Sequence, residues 1–303
     1  MDKAFWRSIA IDHYRVPAGY QLEPLTDELL HTLGASDPER RDYYIYTTLE
    51  NWIKQGLYTP EQLRAMIVQL LANIKLKLGE QGDDTVLLRS FSALTLSEVI
   101  KYDNAHPFLT ESEVRQLVEQ SINYLIKEQD LRGYVAGKGW IHAVAHASDL
   151  LGVLARNRYV DTNELEKILS AIAEKITTPV EHVYITVEDE RLALAVIAAL
   201  TRNHIQSSFW RWWCRQLSVV EESLNWENIA RFARQADICA YHNTRLFLHA
   251  LYFQLTLAGY QLAGAAELLA AVTNAIHRLD AGFYSVEVLK VVDPDIDTDQ
   301  LRP

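Results

Sequence analysis

The chain has 303 residues, 49% of them hydrophobic and 23% charged, enough for one large core or two packed domains. Its net charge of -11 excludes a surface built mainly to hold phosphate backbones, and no Lys/Arg run supplies a local one, which argues against nucleic acid as a partner. With only 12 Gly and 8 Pro, the composition favours long helices over a turn-rich β architecture.

In chain order, residues 1–34 read as an N-terminal helical cap, with Gly34 closing one helix and Ser36-Asp-Pro38 opening the next. The first residues, Met-Asp-Lys-Ala-Phe-Trp-Arg, carry no hydrophobic signal core. Helical hairpins are then expected over roughly 38–78, 84–128 and 137–176. A fourth begins near Val187-Glu-Asp-Glu-Arg191 and runs through the tryptophan cluster; a fifth covers about 225–280. Residues 281–303 read as a tail, with aspartates alternating from Asp293 to Asp299.

The hairpins share a register. Leu57-Tyr-Thr-Pro-Glu-Gln-Leu63, Phe108-Leu-Thr-Glu-Ser-Glu-Val114 and Tyr159-Val-Asp-Thr-Asn-Glu-Leu165 place Thr59, Thr110 and Asp161 51 residues apart. Each is a good N-cap residue, followed by acidic first-turn residues and apolar positions at helical spacing. The same period relates Ile67, Val118 and Leu169, and upstream Leu49, Ile100 and Leu151. The expected fold is therefore all-α, with repeated antiparallel hairpins forming a HEAT-like α-α superhelix in one domain over 1–280.

Leu246 to Val272 comes nearest to a membrane span, but His249, Gln254, Gln261 and Glu267 interrupt it, so a core helix pair joined near Gly259 fits better than a bilayer segment. A cytoplasmic location is the expectation. Cys214 and Cys239 form no disulfide framework or zinc motif and read as inert buried thiols.

Gly137-Lys-Gly-Trp-Ile-His-Ala-Val-Ala-His-Ala-Ser-Asp149 carries the densest chemistry. Read as a glycine turn running straight into a helix, it puts His142, His146 and Asp149 on one stripe at i, i+4 and i+7. His142 and His146 make a workable metal clip. Asp149 lies about 10 Å from His142 along such a helix, which strains a single three-ligand site. No Glu follows His142, so the zinc-protease motif is absent. Gly133 to Gly139 fails as a phosphate loop on spacing, and Gly139 stands where that motif needs a hydroxyl. The favoured reading of the motif is structural: the histidines bond neighbouring helix termini and Trp140 packs into the core.

The stretch from Gly133 to Asp149 resembles a family of bacterial proteins known only as a domain of unknown function. That family's signature, Gly-Lys-Gly-Trp-x-His-x-x-x-His-x-x-Asp, is matched by Gly137, Lys138, Gly139, Trp140, His142, His146 and Asp149. The resemblance extends over much of the chain, from the first hairpin through the fifth. It implies no activity.

A second constellation comes from the register. Arg89 and Arg191 are two periods apart with Trp140 between them, and Arg245 opens the corresponding helix of the fifth hairpin three residues out of phase. With Lys138 they are candidates to line a groove for a peptide or small polar ligand. A ladder of salt bridges and caps between repeats is the favoured alternative. Phe209, Trp212 and Trp213, at i, i+3 and i+4, read as a core stripe. Glu188, Asp189 and Glu190 read as first-turn residues, although a glycosidase could also use such acids.

Two functions follow. The leading one is a binding or scaffold module for a protein, peptide or small polar ligand, with no cofactor required. The alternative is a metal-assisted or acid/base hydrolase centred on His142, His146 and Asp149. Whether the chain is an enzyme stays open at this point.

Overall fold

The structure is a computed structural model and describes residues 1–218, 234–258 and 261–280. These are mostly helical, with one two-stranded sheet. Two compact units divide at Glu164 and Leu165. The expected tail and the expected junction at Gly259 lie outside the described residues.

The first unit opens with α1 (Lys3–Ile11) and α2 (Leu22–Thr32), followed by a π-helix (Glu39–Tyr46) that runs into α3 (Thr47–Lys54). Asp37 starts the π-helix, its Oδ1 accepting from the amides of Glu39 at 3.0 Å and Arg40 at 3.3 Å. Trp6 and Trp52 pack together in this corner, both fully buried.

Next come α4 (Pro60–Asn73), α5 (Thr85–Ala105) and α6 (Glu111–Lys127). Thr59 and Gln62 form a capping box on α4, and Thr110 and Glu113 form one on α6. Asp161 does the same work for α8 (Thr162–Thr177), its Oδ1 accepting from the amides of Asn163 and Glu164. An ion pair recurs at the same spacing: Arg64 reaches Glu113 at 2.8 Å, and 51 residues on Arg115 reaches Glu164.

α5 is the axis of this unit and is buried nearly all round. It stays polar without penalty because its hydroxyls find acceptors or donors. Thr95 Oγ1 donates to the Phe91 carbonyl at 2.8 Å, and Ser92 Oγ accepts from Asn73 Nδ2 at 3.1 Å. α7 (Ala143–Ala155) lies against α5, and its small residues Ala143, Ala145 and Ala147 are all buried.

Before α7 the chain does something the sequence reading missed. Tyr134–Val135 (β1) and Gly139–Trp140 (β2) pair antiparallel as a small hairpin. Gly137 and Gly139 supply left-handed backbone, at φ +81° and +75°, which lets the turn close.

The second unit contains α9 (Glu188–Leu200), α10 (Ser207–Ser218), α11 (Gln235–Ala258) and α12 (Ala265–Leu279). α12 packs on both α10 and α11, and α9 packs on α11. The expected aromatic stripe is corrected here. Trp210, Trp213, Cys214 and Leu217 are the buried face of α10, whereas Trp212 is 49% exposed and Phe209 half-buried. The helix is rotated so that Trp213 donates from its indole to the Leu169 carbonyl at 2.6 Å and meets Phe247 edge to face. Both cysteines are free and buried, and burial pushes the Cys214 thiol up to about 12. No helix among the described residues is long and apolar enough to cross a membrane.

Candidate functional site

The hairpin and the start of α7 bring several of the predicted residues together, by a different route from the one expected. His142 is not a helical residue. It sits just ahead of α7 with φ 50° and ψ 33°, a left-handed conformation uncommon outside glycine. The turn arises because the Ile141 amide donates back to the Gly133 carbonyl at 2.7 Å, closing the hairpin before the helix can start. Only the His142 carbonyl takes part in helix bonding, accepting from the His146 amide at 2.9 Å.

The two imidazoles nevertheless meet. Their ring centroids are 5.9 Å apart and nearly perpendicular, and both residues are more than nine-tenths buried. Trp140 stacks on His142, with centroids 4.4 Å apart at an angle of 28°. Phe91 meets His146 edge-on at 5.1 Å. Asp149, further along α7, is half-buried.

The tautomer of His146 follows from its neighbours. Ser90 Oγ is in contact with both the Ile141 carbonyl and His146 Nδ1, the latter at 2.8 Å. A carbonyl cannot donate, so the single serine hydrogen goes to Ile141, and His146 Nδ1 carries a proton and donates to Ser90. In the neutral ring the lone pair then lies on Nε2.

Trp140 is corrected from the core residue favoured above. It is 43% exposed, and Tyr134, 59% exposed, meets it edge to face at 5.1 Å across the hairpin. The sheet's alternation explains this, since Trp140 and Tyr134 are register partners on the same outward face. Lys138 is half-buried beside them and ion-paired with Asp84.

The hairpin is held from behind by a residue the sequence reading missed. Arg41, fully buried on the π-helix, donates from Nη2 to the carbonyls of Lys138 at 2.9 Å and Trp140 at 3.1 Å, and from Nη1 to that of Ala35 at 3.0 Å. Its guanidinium also lies 4.6 Å from the Phe91 ring centroid. Its Nε is 2.9 Å from Asp42 Oδ1, an ion pair without hydrogen-bond alignment. Burial pulls the Arg41 guanidinium below its ordinary value and pushes the Asp42 carboxyl up. In the sequence, Arg41 hides in the charged run Glu39-Arg-Arg-Asp42, which reads as a solvated face. Ser90 was more legible, because it stands 51 residues before Ile141, one step beyond the Arg89 and Trp140 equivalence.

Arg89 does not line a groove. It is fully buried and forks onto Glu128, at 2.6 Å from Nε and 3.0 Å from Nη2, with Nη1 on the Leu76 carbonyl and Thr85 Oγ1. A buried guanidinium needs this many acceptors, and the segment after α4, α5 itself and the end of α6 supply them. Arg191 on α9 and Arg245 on α11 are half-buried residues of the second unit. Glu188 is a buried first-turn residue that accepts from the Thr186 amide at 2.9 Å. Burial raises Asp189 above the ordinary carboxylate range.

Among the described residues no group of three or more His, Cys, Asp or Glu is placed to hold a metal ion.

The molecule is thus a mostly helical protein that carries an aromatic β-hairpin stacked beside a buried histidine pair. It belongs to the family described as Protein of unknown function (DUF2785), whose model matches residues 74–253, more than half of the chain. The match includes the hairpin, both histidines and the Arg89–Glu128 pair, and begins after Arg41. Neither a curated protein nor a solved structure matches the chain.

Proposed function

We propose that the chain is a binding or scaffold module built on repeated helical hairpins of the HEAT-like kind. Its recognition surface, for a peptide or small polar ligand, is centred on Tyr134 and Trp140. One observation carries this reading: two large aromatic side chains stand exposed on a hairpin whose backbone is clamped from beneath by Arg41. Aromatic groups held in place lose little conformational freedom on binding, and exposed Trp and Tyr are the usual anchors of interfaces. Lys138 and Asp84 supply a polar rim. The recurring caps and ion pairs of the first unit support the repeat part of the proposal.

The test is selection of displayed random dodecapeptides on the wild-type protein and on a Trp140→Ala/Tyr134→Ala variant. Sequences enriched on the first and lost on the second are expected. No enrichment, or equal enrichment on both, contradicts the proposal.

Two buried imidazoles whose ring centroids lie 5.9 Å apart favour a second reading, metal-assisted or acid/base hydrolysis. Zinc or manganese bound one-to-one and lost in the His142→Ala/His146→Ala variant would favour that reading over the first.

A further inference from the structure

A cleft of about 360 Å³ opens between α2 and α4 in the first unit, and its lining includes no residue of the hairpin or the histidine pair. The volume is that of a small-molecule pocket. α2 contributes Glu23, Thr26, Asp27 and Leu30, and α4 contributes Gln62, Ala65, Met66 and Gln69. Both sets follow i, i+3, i+4, i+7, so two continuous helix faces look onto one space. Leu30, Met66 and the Tyr58 ring, each more than nine-tenths buried, make its apolar part.

The polar groups of the lining keep more acceptors than donors. Thr26 spends its hydroxyl hydrogen on the Leu22 carbonyl at 2.9 Å, so Tyr58 is the donor in their 2.9 Å contact and keeps an acceptor lone pair. Gln62 spends one amide hydrogen on Glu23 at 2.8 Å and Gln69 one on Asn73 at 2.9 Å, each keeping a second. His31 spends its Nδ1 hydrogen on the Asp27 carbonyl at 2.8 Å. Neither Glu23 nor Asp27 has an ion-pair partner among the described residues. What the cleft has left is mainly acceptor capacity: two carboxylates one turn apart, a phenol oxygen and an amide carbonyl, beside an apolar wall. A ligand that satisfies it must bring hydrogens, positive charge and a hydrocarbon part.

We infer that the α2–α4 cleft is a binding site for a small organic cation, an amine or guanidine with an apolar body, seated on Glu23 and Asp27 against Met66.

The chain offers a direct probe of occupancy. Met1 and Met66 are its two methionines, and only Met66 lines the cleft. Full-length protein labelled at the methionine methyls should give two signals, with Met1 as the internal control. Titration with 2-phenylethylamine or agmatine at pH 8 should move the Met66 methyl saturably and leave Met1 in place. The neutral isostere 2-phenylethanol and the anion 3-phenylpropionate should bind at least about tenfold more weakly, the loss of one charged hydrogen bond. Glu23→Gln/Asp27→Asn should abolish the amine response, while Glu119→Gln, an exposed acid on α6, should leave it unchanged. The inference is overturned by a Met66 methyl that does not shift up to millimolar amine, by an unchanged response in the double variant, or by phenylpropionate binding as tightly as the amines. Folding of the double variant is checked by its far-UV spectrum and melting temperature.

Discussion

Arg41 Nη2 donates to the Trp140 carbonyl at 3.1 Å, joining a π-helix near the start of the chain to a hairpin 99 residues later. The same nitrogen holds the Lys138 carbonyl, so one buried group fixes both ends of the hairpin's return strand. Replacing it removes the donor to three part-buried carbonyls, those of Ala35, Lys138 and Trp140. Arg41→Met should cost about 3 kcal/mol or more in urea unfolding. Arg41→Lys should restore little of this, because one ammonium does not reproduce the planar fork. A loss below about 1 kcal/mol for Arg41→Met would show that the clamp is not needed.

The two hairpin glycines make a controlled pair. Both have positive φ, but a Cβ on Gly139 would stand 2.7 Å from Pro38 Cβ, while one on Gly137 meets nothing within 4 Å. Gly137→Ala should therefore cost only the left-handed penalty, about 1–2 kcal/mol. Gly139→Ala should cost at least about 1 kcal/mol more, because the π-helix N-terminus must shift. Thermal melts of the two variants side by side check the order, and equal melting temperatures would contradict the packing of the hairpin on Pro38.

Arg89 and Glu128 act as a unit. Glu128→Gln leaves a buried guanidinium without its counter-charge and should destabilise the first unit by about 3–5 kcal/mol. Arg89→Met/Glu128→Met should be more stable than either single variant, since no uncompensated charge remains. A double-mutant cycle by denaturant unfolding measures this, and strictly additive losses would mean the pair is not coupled.

Acid should attack through Asp103. It is fully buried, and although burial alone would raise its pKa, the Arg158 guanidinium, the amides of Leu109 and Phe108 and the Asn157 side chain hold the carboxyl below its usual value. A carboxyl lowered in the folded state contributes stability that is complete above its unfolded pKa. That contribution is lost as pH falls below about 4 toward the lower folded value. Asp103→Asn should be less stable than wild type at pH 7, and the gap should narrow as pH drops through that window. Denaturant unfolding at pH 7, 4 and 3 tests the sign; a gap that widens with acid contradicts it.

The helices of the first unit were legible because their signals are local. Thr59, Thr110 and Asp161 cap where their side chains can reach the third residue of the helix, and a periodic apolar face follows each. The hairpin was not, since two strands of two residues carry too little alternation to register as β. The left-handed turn at His142 also hid there, because a histidine ahead of an alanine-rich helix looks helical. Trp140 was misplaced for the same reason: as a helix-entry residue it would pack inward, whereas as a register partner of Tyr134 it faces outward. The polar contacts of Arg41 and Ser90 span 99 and 51 residues, a separation at which only the repeat register gives warning.

Whether Trp140 and Tyr134 are anchors and not framework is tested most directly by the affinity of a display-selected dodecapeptide for wild type and for Trp140→Ala. A Trp anchor at the centre of an interface is worth at least about 2 kcal/mol, so Trp140→Ala should weaken binding at least about thirtyfold. Its half-exposed indole predicts that the variant keeps a melting temperature close to wild type. Affinity unchanged by Trp140→Ala, or a variant that unfolds while His146→Ala stays as stable as wild type, would contradict the account.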